Sequence, residues 1–66
     1  MKNTIRVERA ILDMTQQQLA DAIGVSRNTI NSIELGKYVP STVLALKIAR
    51  YFGKPTDSIF ELDEND

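Results

Sequence analysis

The sequence predicts an all-α fold, five short helices in one compact domain. Three observations carry this. Apolar residues recur at helical spacing in four separate stretches, within residues 5–12, 19–23, 30–33 and 43–52. Thr15, Ser26 and Ser41 stand where helices begin, and Gly24, Gly36 and Gly53 where they end. The length, 66 residues, allows a single domain.

Asn3 or Thr4 can cap a first helix that runs through about residue 13. Ile5, Arg9 and Leu12 fall on one stripe of it, with Val7 and Ile11 on an adjoining one. A charge in the middle of an inward stripe needs a partner. Glu34, near the end of the third helix, is the partner the chain offers. An Arg9–Glu34 ion pair is therefore expected to fasten the first helix to the third; the alternative is a surface arginine with no fixed partner.

Thr15 followed by Gln18 has the form of a capping box, and a second helix is expected over 16–23. Leu19, Ala20 and Ile23 are its inward residues. Ala20 is small enough to let another helix pass closely. Gly24 can take positive φ at little cost, so the chain can turn sharply there. Val25 follows as an apolar plug, and Ser26 caps a third helix over 27–35. That helix buries Ile30 and Ile33. Its other face carries Arg27, Asn28, Asn31 and Ser32, all hydrogen-bonding types and none acidic. Such groups suit base edges or phosphates. A solvated polar face on a helical hairpin is the plainer alternative. The joint pattern of small residue, glycine turn, apolar plug and capped polar helix points to duplex DNA.

Lys37 and Tyr38 follow in a loop closed by Pro40, which biases Val39 to extended geometry. Ser41 caps a fourth helix that ends at Phe52. Val43, Leu44, Leu46, Ile48, Ala49 and Phe52 make it the most apolar helix and the expected centre of packing. Lys47 and Arg50 should face solvent, and Tyr51 reads as core or interface. Pro55 and Thr56 open a fifth helix over 56–60, with Asp57 favourably placed in its first turn. Ile59 and Phe60 return to the core. Leu62 alternates with Glu61 and Asp63, so the end reads as extended.

The formal net charge is −1, but it is unevenly spread. All eight basic residues lie within 1–54, and four of the nine acidic ones lie in the tail, 61–66. Local potential, not total charge, matters for DNA. The tail reads as a solubilising end. No apolar run approaches the ~20 residues needed to span a membrane, and no signal peptide is evident. A soluble cytoplasmic location is expected.

These residues resemble a known family. Gln16, Leu19–Ala20, Gly24–Val25–Ser26, Ile30, Ile33–Glu34, Gly36 and Pro40–Ser41, followed by the apolar fourth helix, are similar to the helix-turn-helix domain of phage repressor and Cro-like (XRE-type) regulators. The likeness covers roughly residues 5–60 and is to the small stand-alone members. It implies one domain over 1–66 with the helix-turn-helix at 16–35, binding operator DNA as a homodimer. It implies base contacts from Arg27, Asn28 and Ser32. It places Gln16, Asn31, Lys37 and Tyr38 at the DNA backbone, where the starts of the second and fourth helices would add Gln17 and Ser41. An Arg9–Glu34 pair has counterparts in several phage repressors. Glu8 departs from the pattern, since many members have leucine there, leaving Val7 or Ile11 to compensate. In some small members the termini pair as short strands, here residues 1–4 with 61–63.

A sequence-specific regulator, a repressor, is thus the reading, on a near-palindromic operator. The alternative is an antitoxin or protein-interaction module that uses its tail and the region of Phe60–Leu62 for a partner. An enzyme is not expected. There is no histidine or cysteine, which removes the commonest general base, soft metal ligands and the thiol nucleophile. No metal or cofactor site has support.

Overall fold

The computed structural model describes all 66 residues. Five helices follow one another: α1 (Ile5–Ile11), α2 (Gln16–Ile23), α3 (Arg27–Glu34), α4 (Thr42–Phe52) and α5 (Thr56–Ile59). Two short strands, β1 (Lys2–Asn3) and β2 (Phe60–Glu61), close the chain ends together. They pair antiparallel, with Lys2 opposite Glu61 and Asn3 opposite Phe60.

Every helix sends at least one side chain into a single core. Ile5, Leu19, Ala20, Ile30, Ile33, Ile48, Ala49, Ile59 and Phe60 are buried there. Met1, Met14, Ile23, Val25, Leu44, Ala45 and Phe52 pack around them. No helix is long and apolar enough to cross a membrane.

Several sequence expectations need correction. The first helix stops at Ile11, not near residue 13. The Leu12 amide reaches both the Glu8 and Arg9 carbonyls (3.4 and 3.1 Å), which tightens the last turn. Asp13 then takes φ 53°, a left-handed conformation that no helix can continue through. Leu12, just past the helix end, is exposed rather than inward.

The inward stripe of α1 is instead Ile5, Glu8 and Arg9. Val7 and Ile11 point to solvent, so neither replaces the leucine that Glu8 displaces. Glu8 lies in the core-facing position itself and meets Lys54 Nζ at 2.9 Å, beyond the C-terminus of α4.

In α4, Leu44, Ala45, Ile48, Ala49 and Phe52 make the packed face, while Val43 and Leu46 are exposed. Eleven residues of helix cannot turn six spaced apolar side chains toward one side. The fifth helix ends one residue early, because Phe60 adopts extended geometry (φ −114°, ψ 140°). Strand alternation then directs the Phe60 ring inward and Glu61 outward. This shifts the pairing to 2–3 with 60–61 and leaves Leu62 exposed beyond it.

Candidate nucleic-acid interface

The candidate surface is built by α2, a tight turn and α3. Thr15 and Gln18 form the capping box: Gln18 N donates to Thr15 Oγ1 (3.0 Å) and Thr15 N to Gln18 Oε1 (2.8 Å). The box starts α2 sharply at Gln16. Gly24 ends it at φ 87°, and the amides of Gly24 and Val25 both return to the Ala20 carbonyl (2.8 and 3.0 Å). A side chain at 24 would strain this conformation. Ser26 Oγ then accepts from Thr29 N at 3.1 Å and opens α3.

With Ile30 and Ile33 buried, the 3.6-residue period turns residues 28, 31 and 32 away from the core and leaves 27 at its flank, in the first turn. Arg27 and Asn28 are exposed; Asn31 and Ser32 are half-buried. Gly36 takes φ 75° just beyond α3. The amides of Lys37 and Tyr38 bond the Ser32 carbonyl (2.9 and 3.3 Å), which places both side chains beside the end of α3, exposed. Ser41 is exposed and caps α4, its Oγ accepting from Leu44 N at 3.1 Å.

Behind this face lies a hydrogen-bonded frame. Arg9 grips Glu34 with two parallel bonds, Nε to Oε2 at 2.7 Å and Nη2 to Oε1 at 2.9 Å. Its Nη1 donates to the Met14 carbonyl at 2.8 Å. The bond to Glu34 raises the Arg9 pKa further, against the effect of burial. Gln16 Nε2 donates to Asn31 Oδ1 (3.1 Å) and Glu34 Oε1 (3.3 Å), and Gln16 Oε1 accepts from Arg27 Nη1 (3.3 Å). One side chain on α2 thus holds three on α3. Gln17 turns along its own helix to Asp21 Oδ1 at 2.8 Å.

The side chains of Gln16 and Asn31 are therefore engaged within the protein; Arg27 is exposed with only its Nη1 bonded to Gln16, and Asn28, Lys37 and Tyr38 are open to a ligand. The first-turn amides of α2, at Gln16 and Gln17, have no acceptor within the helix and point outward from its end. A shallow groove of about 460 Å³ runs from the end of α1 past this helix start to Arg27, and Asp13 is the one carboxylate on its lining. Arg27 and Lys37 form no ion pair, so their charge is not cancelled by a contact.

The structure also brings in a residue that the sequence reading did not place at the site. Asn3 reads from sequence only as a cap. Its Oδ1 does accept from Ile5 N (3.2 Å), but its Nδ2 donates to the Ile33 carbonyl at the end of α3 (2.8 Å). Nothing in local spacing announces a bond across 30 positions.

A capped α2, a glycine turn and an α3 with an open polar face define a helix-turn-helix. The helix-turn-helix family model matches residues 5–59, and the chain belongs to that family, the XRE-type DNA-binding transcriptional regulators. It is 47% identical over 66 residues to an uncharacterized HTH-type transcriptional regulator of Methanocaldococcus jannaschii, covering all of both chains. It is 42% identical over 64 residues to the uncharacterized HTH-type transcriptional regulator YgzD of Bacillus subtilis, covering 97% of each. It is also 35% identical over 65 residues to the cryptic phage CTXphi transcriptional repressor RstR of Vibrio cholerae, matching 91% of this chain and 56% of that one.

Proposed function

We propose that the protein is a sequence-specific regulator that inserts α3 into the major groove of its operator as a homodimer, and that it represses. The observation that carries this is the outward side of α3: Arg27 and Asn28 exposed at its first turn, on a helix held by buried Ile30 and Ile33. Arg27 suits a guanine and Asn28 an adenine. Ser32 completes the base-reading set. Lys37, Tyr38 and Ser41 meet phosphates on one side, and the free amides of Gln16 and Gln17 on the other. Asn31 acts near the backbone through its bond to Gln16. Repression rests on the likeness to RstR and on the simplest action of such a domain, occupying a site.

Self-association has its own support. Val39, Pro40, Ala45, Leu46 and Phe60 line an apolar groove of about 240 Å³, and Leu35 and Val43 are exposed as well. A second copy seated here would cover these side chains. A two-fold partner sets two α3 helices about 34–36 Å apart and calls for a near-palindromic site.

Selection of bound sequences from a random duplex pool tests the reading directly. The expected result is a two-fold symmetric consensus. Arg27→Ala then costs about 1–3 kcal/mol on the selected duplex and relaxes the preference at one base pair. Lys37→Ala weakens binding to every sequence alike and lowers the salt slope by about one. Equal losses for both variants on selected and random DNA overturn the division of roles.

A further inference from the structure

We infer that Asn3 is a positioning residue for DNA reading, locking the C-terminal turn of α3 in the pitch at which its side chains meet base edges. The inference rests on the proposed function above. Its geometry is independent of it.

An eight-residue helix is about 12 Å long, so a small tilt at one end displaces side chains at the other. The N-terminal end of α3 is held by the Ser26 cap, the glycine turn and the Gln16–Arg27 bond. At the C-terminal end, Arg9 holds Glu34 through its side chain. Asn3 alone among side chains outside α3 grips that end by its backbone, at the Ile33 carbonyl.

The grip is a stiff one. Asn3 is itself a ladder residue, paired with Phe60, whose ring is buried. Its carboxamide is held at both atoms. The Ile5 amide can only donate and the Ile33 carbonyl can only accept, so the orientation of the amide follows from its partners. The neighbouring backbone comes near the same place, with the Met1 carbonyl 3.7 Å from where a β-carbon on Gly36 would sit. The paired chain ends therefore form a bracket under the foot of the recognition helix.

Base contacts tolerate displacement poorly, because a bidentate hydrogen bond fails within a fraction of an ångström to an ångström. Phosphate contacts from a flexible lysine tolerate it well. Releasing the bracket should then cost discrimination more than general affinity.

Asn3→Asp separates the two bonds. A carboxylate can still accept from Ile5 N, but it cannot donate to Ile33 and sets a negative oxygen against that carbonyl. Asn3→Ala removes both. Wild type and both variants are measured on a duplex selected from the random pool and on a scrambled duplex of the same composition. Thermal melting and amide exchange at Leu35 and Gly36 are followed in parallel. The added charge of the aspartate acts on both duplexes alike, so the ratio of affinities isolates the positioning effect.

The expected result is that both variants melt below wild type, Asn3→Asp at least as far as Asn3→Ala because its carboxylate is set against the Ile33 carbonyl. Each should lose about five- to tenfold in affinity for the selected duplex beyond its change on the scrambled one, which carries the effect of charge. The Leu35 and Gly36 amides should exchange faster in both variants. An Asn3→Asp protein with wild-type discrimination and unchanged exchange overturns the inference, and so does an equal loss on both duplexes. If wild type itself prefers no sequence, the proposed function fails; unchanged exchange at Leu35 and Gly36 then counts against the bracket, and faster exchange supports it as a brace of α3.

Discussion

Two neighbouring residues on α1 carry opposite charges inward, and the molecule treats them differently. Arg9 reaches Glu34 through two bonds, with side chains 14% and 6% exposed. Glu8 reaches Lys54 through one, with side chains 10% and 45% exposed. The first pair is closed over on both partners and is tied to Met14 and Gln16. The second is buried on one side and wet on the other. Depth and bond number, rather than the presence of an ion pair, decide what each is worth.

The sharpest way to break this contrast is Arg9→Met. It leaves the Glu34 carboxylate enclosed without its cation and the Met14 carbonyl without its donor. The expected cost is about 3–5 kcal/mol in denaturant unfolding, a large part of what a domain this small holds in reserve. A loss below about 1 kcal/mol would mean the pair is no deeper in effect than a surface one.

Lys54→Met tests the other arm. Lys54 is half in water, so its own contribution is discounted; the cost comes from the Glu8 carboxylate left in a core-facing site. About 1–2 kcal/mol is expected. The double variant Glu8→Leu with Lys54→Met should recover that loss and come near wild type, since apolar residues can replace an ion pair without penalty. A double variant less stable than Lys54→Met alone would show that α1 needs the charge.

The mildest case is a third, open pair. Asp63 is held below the ordinary carboxylate range, first by the Asn65 amide at 2.8 Å and then by the Met1 ammonium at 3.1 Å. A carboxylate with a lowered folded-state pKa contributes stability above its unfolded value, and the contribution is lost as pH falls through the folded one. Acidification below about pH 4 should therefore loosen the tail from the N-terminus before the core responds. The Asn65 amide resonance would report this; a shift coincident with global unfolding would show that the tail does not act separately.

Much of the fold was legible because its signals are local. The capping box of Thr15 and Gln18, the positive φ of Gly24 and the Ser26 cap each depend on a few neighbouring residues. A buried charge announces a need, and Arg9 on an inward stripe called for a carboxylate. What the sequence misjudged was chiefly which apolar residues go inside. Val43, Leu46 and Leu12 read as core and are exposed, because helical period sorts residues only relative to a face whose direction neighbouring helices choose. At the candidate site, Arg27 could be picked out by type, and Asn28 by type and phase. The engagement of Gln16 with three residues of α3 could not, since it depends on how closely two helices cross.

By itself, then, the sequence determined the five helices, the sharp turn between the second and third, and the polar face that the third presents. These follow from backbone preferences and periodicity, which operate within a turn or two of chain. Only the tertiary structure decided that Phe60 would leave its helix to pair with Asn3, that Glu8 would find Lys54, and that Asn3 would reach the far end of α3. Those contacts join residues 30 to 57 positions apart, and such pairings are set by the packing of whole elements rather than by any local preference.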